Sequence, residues 1–323
     1  MQTAIVATAQ NTPATFDTSI LAGTKSPGTI AQYEMHFRTY LVFAGSFDAA
    51  VEPSTLARWR QSLFQDGYTL QDGTNRPYSV NAINQRLAAV RSLMAEAAQQ
   101  GYIPNETAGA FKYVKSLAQV ANKERRKEHA RTAISRTGML ALCDAPDTTT
   151  LAGKMHHAFL LTLATTGMRV SECVGLTFAQ IVWGENDGKE GWTVLVAGKN
   201  KVEPEPRAIG AAAKTTIDAW LSARSAAGVE SDYIFTGFGG RGDRDPSTQP
   251  INRVSAWEMV QRYAKRAGLE HIKPHDFRRF VGTQLAKKDI RLAQKQLGHA
   301  DISTTAKSYV LDGAPIGATD NLF

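Results

Sequence analysis

Between His275 and Tyr309 the chain reads H-D-F-R-R-F-V-G-T-Q-L-A-K-K-D-I-R-L-A-Q-K-Q-L-G-H-A-D-I-S-T-T-A-K-S-Y, and well upstream T-G-M-R-V-S-E surrounds Arg169. The two segments supply Arg169, His275, Arg278, His299 and Tyr309, all near predicted helix ends or turns. A free phenol, with a pKa of about 10, is a poor nucleophile at neutral pH. Surrounded by positive charge and given a base within reach, it can attack phosphorus. Guanidinium groups present a planar fork that matches phosphate oxygens. The chemistry these residue types predict is cleavage of a DNA strand through a tyrosine. A metal is not expected, because no carboxylate cluster stands near these residues. His156-His157 is adjacent rather than at ligand spacing and reads as helix surface or packing.

Each residue taken singly has a plainer explanation. Arg169 lies between Gly167, which ends one helical run, and Glu172, which opens another. Among Leu160, Leu163, Met168 and Val174 it would be partly buried and would need an anion, either Glu172 as structural support or a ligand. His275 follows Pro274 at a predicted helix start where Asp276 can cap. Such a start is electropositive and suits phosphate oxygens, and three residues on, Arg278 projects in a similar direction. A surface helix start would look the same. Tyr309, in a closing helix, would ordinarily be packing.

Elements must bring these residues into one place. The chain has 323 residues, so two domains are expected, and 43% apolar content supports real cores. Residues 1–26, rich in Thr, Ala and Ser, read as a flexible arm. Residues 27–118 read as a four-helix bundle. Its helices open at Pro27, Pro53, Ser79 and Asn105, with Asp72–Pro77 as a plain loop. Residues 119–132 read as a basic linker carrying Arg125, Arg126 and Lys127. From residue 133 helices are predicted at 136–145, 151–166, 172–176, 212–226, 255–267, 277–287, 290–297 and 303–310. One β-hairpin interrupts them: Trp192–Ala197 outward, a turn at Glu203-Pro-Glu-Pro, and a return at Arg207. Asp243–Pro250 reads as loop. The fold class is mainly α with a small β-sheet.

The net charge is +7, and residues 123–323 carry most of it, with 28 basic against 22 acidic side chains. An acidic partner follows, nucleic acid before a membrane surface. Cys143 and Cys173 sit in apolar helical patterns and read as buried reduced thiols. The opening residues lack the pattern of a secretory signal, and the longest apolar run is too short for a bilayer, so a soluble cytoplasmic protein is expected.

Taken together, Arg169 in T-G-M-R-V-S-E, His275-x-x-Arg278, L-G-H at 297–299 and the downstream Tyr309 resemble the tyrosine recombinase, or phage integrase, family. Order and spacing match together, most tellingly over L-G-H-A-D-I-S-T-T. The resemblance covers residues 133–323; the helical region before it matches the family's SAM-like core-binding domain in size and position. It implies that Tyr309 is the nucleophile, that Arg169 and Arg278 clamp the scissile phosphate, and that His275 and His299 assist proton transfer. It also implies a hairpin lysine that protonates the leaving 5′-oxygen. Lys199 fits by alignment on the preceding glycine, and Lys201 fits by closeness to the turn. Tyr309 follows His299 at one residue more than in many members. The implied activity is site-specific recombination through a 3′-phosphotyrosine, without metal, ATP or cofactor. The implied partners are double-stranded DNA and further copies of the chain, a dimer on each site and a tetramer in the synapse. Arg86 and Arg91 on the third helix, with the linker cations, are candidate DNA contacts. The segment after Tyr309 ends in Leu322-Phe323 and reads as a neighbour-docking segment or a free tail. Other outcomes of the same chemistry are a type IB topoisomerase or a telomere resolvase; a non-catalytic DNA-binding derivative would be expected to lack part of the set.

Overall fold

The computed structural model describes residues 5–6, 15–118, 134–186, 188–198, 203–239 and 245–309. The chain forms two compact units, Met1–Ala130 and Arg131–Phe323.

In the first unit, α1 (Pro27–Ala44) starts on Pro27 with the Ser26 hydroxyl accepting from the Thr29 N–H, and ends on Gly45 at φ 79°. Proline tolerates the first helical position because its missing N–H would be unpaired there, and glycine takes the left-handed cap without strain. A short α2 (Phe47–Ala50) leads to α3 (Pro53–Gln65). Then α4 (Val80–Gln99), capped by Ser79, packs Ile83, Leu87, Val90 and Met94 against Phe37, Tyr40 and Trp59. The fourth expected helix is α5 (Asn105–Phe111), whose cap is Pro104 rather than Asn105.

Two expectations for this unit change. The arm is not wholly free: a 3-10 turn at Thr18–Leu21 buries Ile20 and Leu21 in the core, and Gln100 Nε2 donates to the Ile20 carbonyl at 3.2 Å. These two apolar residues anchor the end of an otherwise polar run. The loop at Asp72–Pro77 is edged by a two-residue ladder, β3 (Tyr68–Thr69) against β4 (Asn75–Arg76). Upstream, β1 (Ile5–Val6) pairs antiparallel with β2 (Thr15–Phe16).

The second unit opens with α6 (Arg136–Asp144), α7 (Leu151–Thr166) and α8 (Val170–Val174). A three-stranded antiparallel sheet follows in the order β5 (Ile181–Asn186), β6 (Lys189–Ala197), β7 (Pro204–Ala208). Sequence reasoning missed β5 and misplaced the turn. Ala197 pairs with Pro204 and Leu195 with Pro206, so the Glu203–Pro206 stretch is mostly strand. Prolines are compatible with this because β7 is an edge. After α9 (Ala211–Ala226), the stretch expected to be loop contributes β9 (Asp245–Pro250), paired with β8 (Thr236–Gly239). Four helices complete the unit: α10 (Arg253–Arg266), α11 (Pro274–Ala286), α12 (Ile290–Leu297) and α13 (Ile302–Tyr309).

The core of this unit sits on α7, whose Met155, Phe159, Leu160 and Leu163 are fully buried against Trp220, Phe235 and Phe277. Cys143 and Cys173 are buried free thiols. His156 is buried, with Nδ1 2.9 Å from the Tyr263 hydroxyl, so its reading as packing agrees with its position. Among the described residues no helix is long and apolar enough to cross a membrane.

Candidate active site

Two left-handed glycines build the floor of the site. Gly167 (φ 66°) ends α7, and Gly298 (φ 64°) ends α12. A helix C-terminus leaves carbonyls unpaired and carries partial negative charge. Arg278, on α11 and only 1% exposed, meets both ends: its Nη1 donates to the Gly167 carbonyl at 2.9 Å and its Nη2 to the Leu297 carbonyl at 2.5 Å. Burial, then the nearby Arg169 charge, lowers its pKa to about 10, so it remains a cation at neutral pH. The two carbonyls occupy two of the five N–H donors a guanidinium has.

Gly167 also turns the chain so that Arg169 becomes the N-cap of α8. Its backbone N–H donates to Glu172 Oε2 at 2.8 Å and its Nη1 to Glu172 Oε1 at 2.7 Å, while 38% of its side chain stays exposed. A hollow of about 450 Å³ opens beside it, between Met168, Glu172 and the Val196–Ala197 end of β6. A larger hollow of about 800 Å³, between Phe178 and the Leu221–Asp232 segment, contains none of the clustered residues.

His275 stands in the first turn of α11. Asp276 caps the helix as expected, from its third position: its Oδ2 accepts from the Lys273 N–H at 2.8 Å, and its Oδ1 accepts from Arg279 Nη1 at 3.1 Å. Proline at the first position starts the helix. Much of the His275 surface faces solvent, yet partial burial followed by the Arg278 and Arg279 charges holds its pKa below the usual histidine value. His299, just beyond Gly298, is pushed further, to about 4, by burial and then by Arg278, Arg169, Arg207 and His275. Its Nδ1 lies 2.8 Å from the Thr305 hydroxyl. Both imidazoles are therefore neutral at pH 7, and the arginines carry the positive charge.

Tyr309 closes the cluster from its own chain. It is 5% exposed and packs on Val281 and Leu297. Its ring stacks on His299, with centroids 5.7 Å apart and planes 8° from parallel. It also faces Gly282: a Cβ there would lie 2.7 Å from Tyr309 Cδ1 and Cε1. The longer spacing from His299 thus still lets the tyrosine reach the cluster in cis.

The structure brings together Arg169, Glu172, His275, Arg278, His299 and Tyr309. The proposed lysines Lys199 and Lys201, and the linker cations Arg125, Arg126 and Lys127, lie outside the described residues. In the first unit, Arg86 stacks over Tyr78 at 4.2 Å and donates to the Ala82 carbonyl at 3.0 Å. Arg91 donates to Ser116 Oγ at 3.1 Å and to the Val114 carbonyl, in the stretch that follows α5.

Sequence reasoning missed Arg207. Its side chain is fully buried on β7, and Nη1 donates to Glu172 Oε2 at 2.8 Å. Burial alone would raise the Glu172 carboxyl, but the Arg169 backbone bond and the Arg207 charge hold it below its ordinary value. A buried arginine in Pro-Glu-Pro-Arg carries no local signal.

The second unit thus gathers a tyrosine, two arginines and two histidines in one place. The profile of the phage integrase family matches residues 134–312. The chain belongs to that family, the tyrosine recombinases. The tyrosine recombinase XerD of Neisseria meningitidis serogroup A is 32% identical over 182 residues, covering 54% of this chain and 56% of that protein. The match therefore spans little more than half the length of that relative. XerC of Pseudomonas aeruginosa LESB58 is 30% identical over 246 residues, covering 70% of this chain and 74% of that protein. Among solved structures, XerH bound to palindromic difH substrate aligns with a TM-score of 0.60 at 20% identity, over 86% of this chain and 74% of that one. A lambda integrase dimer bound to a COC′ core site aligns with a TM-score of 0.59 at 15% identity, over 90% and 92%. These likenesses show the two-domain recombinase fold.

Proposed function

We propose that this chain is a site-specific DNA recombinase and that Tyr309 is its nucleophile. The observation that carries this reading is the placement of the Tyr309 ring, stacked on His299 beside the Arg278 and Arg169 charges. The Tyr309 oxygen attacks the scissile phosphorus and the bond to the 5′-oxygen breaks. The phenolic proton leaves to a neighbouring base, and the departing 5′-oxygen takes up a proton, for which a hairpin lysine, Lys199 or Lys201, is suited. The product is a 3′-phosphotyrosine and a free 5′-hydroxyl. A partner strand's hydroxyl then attacks the phosphotyrosine, the new phosphodiester forms and the phenol is released. One phosphodiester replaces another, so the exchange needs no external energy source.

Arg169 and Arg278 serve as donors to the non-bridging oxygens as negative charge develops there. His275 and His299, being neutral, add hydrogen bonds without adding charge. Arg86 and the linker cations Arg125, Arg126 and Lys127 are assigned to the DNA backbone, while Arg91 is assigned to holding the end of the first unit. Strand exchange joins two sites, so the working assembly is a dimer on each site and a tetramer in the synapse.

The test uses nicked suicide DNA carrying the sequences that flank the gene, which trap a covalent protein–DNA adduct on a denaturing gel. The wild-type chain should form it. Tyr309→Phe should form none; an adduct in that variant would overturn the nucleophile. Arg169→Lys should still shift DNA in a native gel and yet cleave only at a slow residual rate, since one ammonium cannot replace the fork. Relaxation of supercoiled DNA without any site would instead mark a topoisomerase.

A further inference from the structure

Glu172 stands between two guanidinium groups of opposite exposure. Its Oε1 takes Arg169 Nη1 at 2.7 Å; its Oε2 takes the Arg169 backbone N–H and Arg207 Nη1, each at 2.8 Å. Arg169 reaches the surface, whereas none of the Arg207 side chain does. Arg207 meets the cluster through Glu172.

Burying a cation is costly unless it is well paired. Arg207 Nε and Nη2 are buried without a hydrogen-bond partner, so this guanidinium is not placed for its own satisfaction. What it does achieve is the contact with Glu172. On its other side, a Cβ added to Gly298 would lie 3.0 Å from Arg207 Nη2, so the turn that carries His299 closes directly over it. One buried residue thus abuts both turns of the site. An arginine side chain is long and loses much rotamer freedom when held, and a carboxylate that is itself fixed keeps Arg169 in one direction.

We propose that Arg207 is a positioning residue: it locks Glu172 so that Glu172 aims the Arg169 guanidinium at the scissile phosphate. This rests on the reading of Arg169 as a phosphate ligand.

Arg207→Gln should slow adduct formation on the suicide DNA by about 100-fold, the usual order for a small misplacement of a reacting group. Affinity for the same DNA in a native gel should not change. The discriminating measurement is the double variant with Arg169→Lys. If Arg207 acts through Arg169, adding Arg207→Gln to Arg169→Lys costs nothing further. Losses that multiply would overturn the proposal, because a merely structural role weakens every variant alike. Should the glutamine variant fail to fold, Arg207→Lys carries the same cycle, since an ammonium grips the carboxylate with different geometry. A crystal structure of whichever variant folds gives a readout independent of cleavage. Glu172 and Arg169 are expected to shift, and an unchanged Arg169–Glu172 pair would overturn the inference. If the wild-type chain forms no adduct, the proposed activity fails, and the crystal structure still decides the role of Arg207.

Discussion

At the scale of single residues, the cluster divides into charged arginines and neutral histidines. Arg169 and Arg278 carry the charge, and the two histidines are kept neutral by burial and by those same arginines. Holding a histidine neutral has a consequence for stability. An unfolded chain protonates this imidazole near 6.5, but the folded chain withholds the proton until about pH 4. Between those values the unfolded state binds more protons, so stability falls as pH drops from 6.5 towards 4. Below about 4 both states are protonated, and the contribution no longer changes. His299→Gln cannot titrate, so its melting temperature should decline less steeply over that window than the wild type's. Parallel declines would show that His299 is already charged in the folded protein. His275 is shifted in the same direction, so replacing it as well should flatten the profile further.

At the scale of elements, α11 holds a glycine where alanine would make the better helix by about 1 kcal/mol. The Tyr309 ring occupies the space of the missing side chain: the added Cβ would also lie 2.9 Å from Leu297 Cδ1. Gly282→Ala should therefore push α13 off α11, lowering the melting temperature and cutting adduct formation while DNA affinity persists. Gly109 in α5 is the control, because nothing lies within 4 Å of its added Cβ. Gly109→Ala should stabilise by up to about 1 kcal/mol. A stabilising Gly282→Ala with full cleavage would mean that Tyr309 works elsewhere. This contrast also marks how far the sequence could be read. Helix limits set by nearby residues, such as Pro27, Ser79, Gly167 and Gly298, were legible because proline, serine and glycine act within a turn of themselves. The motif residues were legible by type and order. Strand β9 was not, since Asp-Pro-Ser-Thr-Gln-Pro has loop composition and is held only as half of a two-stranded ribbon. Nor were the parts played by Arg207 and Gly282. Their meaning lies in Glu172, 35 positions before Arg207, and in Tyr309, which reaches Gly282 only after α12 has turned the chain back.

At the scale of the whole molecule, each unit has a buried core of its own. One runs from Ile20 to Val114 and the other from Met139 to Phe277. Every residue gathered at the site belongs to the second unit, as does Lys199 or Lys201. The linker cations Arg125, Arg126 and Lys127 and the candidate Arg86 precede it. On the proposed roles, chemistry and much of the backbone grip fall in separable stretches of chain. A fragment of residues 131–323 should therefore fold cooperatively and form the Tyr309 adduct at saturating suicide DNA. It should bind that DNA more weakly than the full chain at physiological salt. Cations that neutralise phosphates release counterions, and every phosphate left without its cation flattens the slope of log affinity against log salt by about 0.9. If the linker and first unit grip the backbone, the fragment's slope must be shallower by at least two such steps, read from titrations across a range of salt concentrations. Equal slopes would place all the phosphate grip in the second unit and remove Arg86 and the linker cations from the DNA. A fragment that fails to fold would show that the second core depends on the first, and the division of labour between the two units would fall with it.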